Sequence, residues 1–254
     1  MKSSSLTNLS YSDVKKIKPN VAILPWGATE AHNQHLPYAT DVIQAQIISE
    51  YSAALASEKG AKVIVLPAVP FGNNAQQLDQ FCTIHLSTTS SYSLLKDVVS
   101  SLTKQGIDKL IIANSHGGNQ FKPVIRDLQN EFNVLIIVAD LYLMIPDKVK
   151  EIFTEPGDHA GELETSLMMY ILEEDINLKK AGNGSRKAFA IKSLNHPGVW
   201  TPRPWSASHP DLGSGNPSKA TLDKGEKYFL ALCEEFAAVI LDISKAKKGK
   251  LPYI

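Results

Sequence analysis

Residues 21–41 read VAILPWGATEAHNQHLPYATD, and they join an apolar run to a cluster of polar side chains. The first five residues are near-continuously apolar, which predicts a strand covered on both faces. Glu30, His32, His35 and Asp41 follow within twelve residues of one another. Carboxylate oxygens and imidazole nitrogens are ligands that divalent transition metals prefer. The stretch therefore predicts a metal site beyond the end of a strand, and its number of donors favours two ions.

Further apolar runs rich in Val and Ile alternate with segments that have helical patterns. The runs are residues 62–67, 109–113 and 134–139, and the helical segments are 42–58, 89–105, about 120–132, 162–174 and 218–245. We expect Thr40 or Asp41 to cap the first helix, Ser87 or Thr88 the second, and the Asn216-Pro217-Ser218 sequence to begin the last. Alternating strands and helices predict an α/β fold with a mostly parallel sheet and right-handed crossovers.

Candidate ligands also follow the later apolar runs. His116 comes after the third run and precedes two glycines, and Asp140 follows the fourth. Glycines let a backbone approach an ion or a substrate closely. Because ligands of parallel sheets collect beyond the carboxyl ends of the strands, we expect these groups to share one edge with Glu30 and His32.

The segment HAGELETS, residues 159–166, leads into a helix and carries two carboxylates. Glu164 flanks the apolar stripe of that helix, whereas Glu162 is predicted to face solvent. We interpret Glu164 as the functional carboxylate, although an acidic residue at a helix N-terminus is also favourable in its own right. The pattern leaves His159 open as a ligand, a general acid or a surface residue.

Other polar and aromatic residues receive supporting interpretations. His35 is predicted to hydrogen-bond behind the ligands. Residues 182–217 are rich in Gly, Pro and Ser and are expected to be irregular. Trp200 and Trp205 lie in this segment and could wall a pocket for a flat, polar substrate, pack loops, or face a neighbouring subunit.

Composition limits the classes of function. The 254 residues carry no net charge, which argues against nucleic-acid and anionic-membrane partners. No apolar run is long enough to span a bilayer, and the N-terminus lacks the apolar core of a secretory leader. The two cysteines are far apart, which favours a reducing cytoplasm. No linker interrupts the pattern, so we expect one domain over residues 1–254.

Four blocks of this sequence together resemble the creatininase family. They are LPWGATEAHNQHLPYATD at 24–41, NSHGGN at 114–119, HAGELETS at 159–166 and GNPSKAT at 215–221. The resemblance implies a three-layer α/β/α fold, hydrolysis of the C–N bond of a cyclic amide or formamide, and a homo-oligomer, often a hexamer. It also implies two divalent ions, with Zn as the expected metal and Mn or Fe as alternatives.

The resemblance further implies roles for single residues. Glu30, His32, Asp41 and His116 match the metal ligands, with Asp41 as the bridge, and His159 matches a histidine implicated in proton transfer.

Creatininase has a metal-binding glutamate where this chain has Gly118. Relatives with the Gly-Gly form supply a late carboxylate instead, which favours Glu164 over Glu162.

These observations lead to one principal hypothesis and two alternatives. The hypothesis is a metal-dependent amidohydrolase that uses a metal-activated hydroxide on a small-molecule amide, with His159 and Glu164 as catalytic residues. One alternative is a two-metal phosphoesterase, although Arg186 and Arg203 are the only arginines in the expected pocket region. The other is a metal-binding assembly protein that has lost catalysis, a reading kept open by Asn33, Gln34 and Gly118.

Overall fold

A parallel sheet of four strands lies at the centre of the computed structural model, which describes residues 4–155, 157–172 and 176–247. The strands are β1 (Val21–Trp26), β2 (Val63–Val65), β3 (Lys109–Asn114) and β4 (Leu135–Asp140). Their order across the sheet is β2-β1-β3-β4, and all neighbours are parallel. Each predicted apolar run therefore overlaps a strand.

Helices fill the connections between the strands and the second half of the chain. They are α1 (Tyr11–Ile17), α2 (Thr40–Glu58), α3 (Thr88–Lys104), α4 (Phe121–Glu131), α5 (Pro146–Ile152), α6 (Glu162–Leu172), α7 (Trp205–Ser208) and α8 (Leu222–Lys245). Two short antiparallel strands, β5 (Gly157–His159) and β6 (Ser214–Gly215), also pair. Sequence analysis missed that pair together with α1 and α5. Within the described ranges, none of the helices combines the length and apolar content needed to cross a membrane.

The two faces of the sheet bury different sets of side chains, because successive residues of a strand point to opposite sides. Val21, Ile23 and Ile111 pack in one core with residues of α2, α5, α6 and α8. Ala22 and Ile112 pack in the other core with residues of α3 and α4. Helices thus cover both faces, which confirms the α/β/α sandwich.

Strand register brings the carboxyl ends of three strands level with one another. Trp26 of β1 pairs with Asn114 of β3, which pairs with Asp140 of β4. From β1 the chain runs outward to β2 and later returns to β3 on the other side of β1. Such a reversal of direction opens a crevice between the two strands concerned. The loops after β1 and β3 meet there.

Two predicted helix starts are wrong. The N-terminus of α2 has no side-chain cap, and Thr40 Oγ1 instead donates to the carbonyl of Pro37 at 2.7 Å. The last helix begins at Leu222, with Thr221 accepting from the amide of Lys224. Asn216 accepts from the amide of Ser218 instead, because the chain makes a local turn before the helix. Ser87 does cap α3, and the predicted end of α6 at Glu174 lies outside the described residues.

Candidate metal centre

The predicted ligands converge at the carboxyl edge of the sheet, although they come from four separate parts of the chain. Glu30 and His32 lie on the loop after β1, and Asp41 lies in the first turn of α2. His116 follows β3. Glu164 comes from the first turn of α6. Glu30, His32, Asp41 and His116 are all buried.

Three groups of donor atoms form in this cluster, each with all its atoms within 4.8 Å of one another. They are Glu30, Asp41 and His116; His32, Asp41 and Glu164; and Glu30, His32 and His159. The first two groups share only Asp41. Among the described residues, the donor atoms thus include two groups that are joined by one common carboxylate.

Asp41 presents its two oxygens to different imidazoles. Its Oδ1 lies 3.1 Å from His32 Nε2, and its Oδ2 lies 3.1 Å from His116 Nδ1. The same His116 nitrogen is also 3.1 Å from Glu30 Oε1. One ring nitrogen carries at most one proton and cannot donate well to both carboxylates, whereas a cation between the three atoms would contact them all.

Each of the three imidazoles faces a backbone carbonyl with its other ring nitrogen. His32 Nδ1 lies 3.1 Å from the carbonyl of Glu30, His116 Nε2 lies 3.2 Å from that of Asn73, and His159 Nε2 lies 2.8 Å from that of Ala31. A carbonyl only accepts, so that nitrogen carries the proton and donates. In the neutral ring, the nitrogen facing the carboxylates then has the lone pair that metal ligation requires. The donor set fits divalent ions.

The cluster strongly perturbs its own protonation. Burial lowers the pKa of His32, but the charge and hydrogen bond of Asp41, together with the charges of Glu164 and Glu30, raise it to about 10. Burial also lowers the pKa of His116, and Glu30 and Asp41 together raise it well above its ordinary value. For Asp41 burial acts upward, yet His32 and His116 hold its pKa below its usual range. Opposite charges in a dry site thus sustain one another.

Glu164 reaches the cluster because the turn before α6 curls back on it. Ala160 has a φ of 51°, and its backbone amide donates to the Glu164 carboxylate. At Gly118 an added Cβ would lie 2.4 Å from His116 Nε2. The His116 ring therefore occupies the space beside residue 118, whereas Glu164 of α6 brings a carboxylate to His32 and Asp41.

Glu162 does not face solvent, contrary to the sequence-based expectation. It is 1% exposed, and its carboxylate binds Lys224 of α8. Its Oε2 also accepts from the backbone amides of Thr154 and Glu155 at 2.9 and 2.7 Å. The apolar stripe of α6 did not reveal this role, because Lys224 lies 62 residues away in the chain. Glu162 joins elements together and is not in any donor group.

The remaining predicted residues surround the cluster. His35 Nε2 lies 2.9 Å from Thr165 Oγ1, next to Glu164 in sequence. Asn33 has a φ of 53° and donates to the carbonyl of Gly182. It therefore joins the loop after β1 to the irregular segment 182–217. Gln34 is an exposed neighbour that donates to the carbonyl of Asp211.

A cavity of about 1230 Å³ opens beside the cluster. His159 lies in its wall with the ring centroid 5.1 Å from that of Trp205, in an edge-to-face contact. Trp205 is buried, whereas Trp200 lines the cavity and is 82% exposed. Arg203 lies above the Trp205 ring and pairs with Asp158 at 3.2 Å. The irregular segment thus supplies one wall of the cavity.

Sequence reasoning missed one buried polar side chain at the centre. Gln77 is 2% exposed, and its Nε2 donates to Glu30 Oε2 at 2.5 Å. It lies in the loop between β2 and α3, where a neutral amide without a motif or periodicity carries no signal in the sequence. Only the fold shows that this loop reaches Glu30.

This chain is similar in sequence and in structure to known proteins. Residues 7–240 match the family model "Creatininase", described as creatinine amidohydrolase. The crystal structure of a candidate creatinine amidohydrolase from Bacteroides fragilis NCTC 9343 has 41% sequence identity and a TM-score of 0.91. It covers 98% of this chain and 100% of its own.

More distant relatives carry other names. A mycofactocin precursor peptide peptidase from Mycolicibacterium smegmatis is 25% identical, covering 82% of this chain and 79% of its own. A 2-amino-5-formylamino-6-ribosylaminopyrimidin-4(3H)-one 5'-monophosphate deformylase from Methanothermus fervidus is 32% identical, covering 63% and 60%. A mutant creatininase of the Zn–Zn type shares the fold, with a TM-score of 0.78 at 18% identity over 97% and 100% of the two chains.

Proposed function

This chain belongs to the creatininase family, and we propose that it is a binuclear metal-dependent amidohydrolase. The proposed reaction is hydrolysis of the C–N bond of a small cyclic amide or formamide. The observation that carries the proposal is the pair of donor groups sharing Asp41, toward which buried histidines direct the ring nitrogens that do not face backbone carbonyls. Family relatives named as an amidohydrolase and as a deformylase support the amide chemistry.

The proposed ligands divide between two ions. Glu30, Asp41 and His116 would hold one ion, and His32, Asp41 and Glu164 the other. Zn is the proposed metal, because a creatininase structure is of the Zn–Zn type, and Mn and Fe are alternatives for the same donor set. When bound, such ions supply Lewis acidity that polarises a carbonyl and lowers the pKa of water.

His159 is the proposed proton donor to the leaving nitrogen. Its Nε2 donates to the carbonyl of Ala31, so its position is fixed. Its Nδ1 lies 3.6 Å from Glu30 Oε1, on the side of the carboxylates. Packing between the rings of His32 and Trp205 limits rotation of the imidazole. Glu164 is the second proposed catalytic residue, because burial raises the pKa of its carboxyl group and it can accept a proton.

The cavity supports a second candidate substrate class, a larger amide such as a peptide. Its volume of about 1230 Å³ exceeds the roughly 300–1,000 Å³ of ordinary small-ligand pockets. One relative is named as a peptide peptidase. A single panel of cyclic amides, formylamino compounds and short peptides, with phosphoesters as the contrasting class, would separate these candidates. Turnover of phosphoesters alone, or of nothing in the presence of bound metal, would contradict an amidohydrolase.

Two substitutions test the proposed roles of Asp41 as shared ligand and of His159 as proton donor. Asp41→Ala should remove both ions and all turnover, because both donor groups lose their shared carboxylate. His159→Ala should keep both ions, measured by elemental analysis, and lose about 10²- to 10⁴-fold in turnover. Normal turnover by His159→Ala would refute its role as the acid.

The proposal extends to assembly and location. As in the family it resembles, we propose a homo-oligomer, with a hexamer as the specific expectation; light scattering should then give a multiple of the 27.8 kDa chain mass. A cytoplasmic location agrees with two unpaired cysteines, of which Cys82 is exposed and Cys233 is buried. A mass of one chain at micromolar concentration would contradict the oligomer.

A further inference from the structure

The loop between β2 and α3 carries a buried amide to the proposed metal ligands. Gln77 ends the 3₁₀ turn Ala75–Gln77 and is 2% exposed. Its Nε2 donates to Glu30 Oε2 at 2.5 Å. Burying an amide is costly unless it is hydrogen-bonded. Because this buried amide donates to the Glu30 carboxylate, we expect its role to lie at that carboxylate.

Hydrogen bonds within the loop fix the position of this turn. Asn74 is fully buried, and its side-chain amide donates to the carbonyls of Ile84 and Thr29 at 3.1 and 3.4 Å. Its backbone amide donates to His85 Nδ1 at 3.1 Å. The amide of Gln77 then donates to the carbonyl of Asn74 at 2.9 Å. The turn is thus anchored to Thr29, the residue before Glu30.

The two oxygens of Glu30 have different neighbours. Oε1 faces His116 Nδ1 at 3.1 Å and His159 Nδ1 at 3.6 Å, whereas Oε2 accepts from Gln77. With Oε2 held, the carboxylate cannot turn and Oε1 stays directed at the point between Glu30, Asp41 and His116. Partners of this kind orient metal ligands and strengthen binding.

We propose that Gln77 is a positioning residue, which holds Glu30 so that Oε1 alone ligates the ion between Glu30, Asp41 and His116. The inference rests on the binuclear site of the proposed function. It predicts an effect on one ion only, because Gln77 donates to Glu30, which is absent from the donor group His32, Asp41 and Glu164.

The test is stepwise titration of the metal-free protein with Zn²⁺ against a competing chelator, followed by Co²⁺ absorption spectra. Gln77→Met removes the donor at similar length, and Gln77→Glu replaces it with a carboxylate that repels Glu30. Each should weaken one of the two ions, by about 10- to 100-fold for Gln77→Met and more for Gln77→Glu. The other ion should keep the wild-type affinity.

Gln80→Met is the matched control. Gln80 lies in the same loop and is buried, and neither atom of its amide has a partner in the described part of the chain. It should leave both affinities within twofold of wild type. If Gln77→Met also leaves both within twofold, or weakens both ions equally, the proposal is wrong.

A double-substitution cycle separates positioning from a general effect on folding. In a Glu30→Ala background, Gln77→Met should change the affinity of the affected ion less than twofold further, because the group that it positions is gone. An equal loss in both backgrounds would overturn the proposal. Wild-type protein that binds fewer than two ions would instead overturn the proposed binuclear site itself.

Discussion

At the scale of single residues, hydrogen bonds to the backbone orient the imidazole rings of the candidate metal centre. His32, His116 and His159 each give one ring N–H to a backbone carbonyl, and the carbonyls belong to loops that the sheet holds in place. The free nitrogens then meet carboxylates. Without a cation, protons must fill this role, which explains why the pKa of His32 rises to about 10 although burial alone would lower it.

Metal binding should therefore release protons at pH 7. Because the pKa of His32 is about 10 and that of His116 is also raised, both rings are protonated in the metal-free protein at that pH. An ion must displace these protons, so its apparent affinity should fall as the pH is lowered. Calorimetric titration in buffers of different ionisation enthalpy measures the protons released.

His35→Gln is the control for this prediction. Burial and the neighbouring charge of His32 lower the pKa of His35 to about 4, so this ring is neutral at pH 7. The variant should release as many protons as the wild type. A binding heat that does not depend on the buffer would contradict the protonated state of the metal-free cluster.

The adjacent glycines after His116 should differ sharply in their tolerance of a side chain. A Cβ at Gly118 would lie 2.4 Å from both the Asn73 carbonyl oxygen and His116 Nε2, whereas at Gly117 nothing lies within 4 Å. Gly118→Ala should displace the imidazole and lower metal affinity by about 10- to 100-fold. Gly117→Ala should bind like wild type, and equal metal affinities for the two variants would contradict the close packing at residue 118.

At the scale of secondary-structure elements, two residues with capping side chains at the start of α2 make other contacts. Asp41 and Thr40 have the residue types that normally cap a helix. In α2 neither does so, because the Asp41 carboxylate faces two imidazoles and Thr40 binds the carbonyl of Pro37. The N-terminus of α2 still places a negative side chain in its first turn, which the helix dipole favours.

The first turn of α6 separates two carboxylates by function. Glu164 faces the imidazoles, and Glu162 binds Lys224 of α8 and two amides of the loop after α5. Residues two apart on a helix point in different directions. Glu164 therefore faces the donor cluster, whereas Glu162 ties α6 to α8 and to that loop.

Glu162→Gln should destabilise the fold without removing metal. Loss of the charged acceptor should lower the free energy of unfolding by about 1.5–3 kcal/mol, measured by urea denaturation at pH 7. The exposed Glu226→Gln in α8 is the control and should change it by less than about 0.5 kcal/mol. Loss of metal by Glu162→Gln would show that it belongs to the site.

This contribution should depend on pH in a defined direction. Burial raises the pKa of Glu162, but the hydrogen bonds from Lys224 and two backbone amides outweigh it and lower the pKa below 4.5. A carboxylate with a depressed pKa stabilises the folded state above its unfolded pKa, and the stabilisation is lost as the pH falls. The stability difference between wild type and Glu162→Gln should therefore be full at pH 7 and shrink below about pH 4.5.

At the scale of the whole molecule, one helix joins distant parts of the chain. Residues of α8 pack against α2 and α6 in the same core as β1. Near its end, the carbonyl of Ser244 accepts from the side chain of Asn20, just before β1. Because both ends of the fold share one core, we propose that the chain unfolds as a single domain.

Phe236→Ala should test whether the chain unfolds as a single domain. Phe236 in α8 is fully buried, and truncating such a side chain costs about 3–5 kcal/mol. In scanning calorimetry of metal-free protein, the variant should show one endotherm moved as a whole to lower temperature. An endotherm that splits, with one part unmoved, would indicate two independently folding units.

The sequence by itself determined the sheet, its two helical layers and most of the donor groups. Near-continuous Val and Ile runs can be buried only on both faces of a sheet, and Glu30, His32, Asp41 and His116 stand directly after or close to the ends of such runs. These signals are local, because they depend on residue type and short spacing. Helix starts were less certain, since turns and functional side chains compete for the same capping residues.

Only the tertiary structure directed Glu164 toward the imidazoles and Glu162 toward Lys224, brought Gln77 to Glu30, and set His159 against Trp205. Each of these contacts joins loops or helices that are far apart in sequence. Side-chain direction on such elements depends on how they pack across the sheet, and no periodicity or motif encodes that. The opening stretch contains the ligands, but the crevice between β1 and β3 is what brings the remaining groups to them.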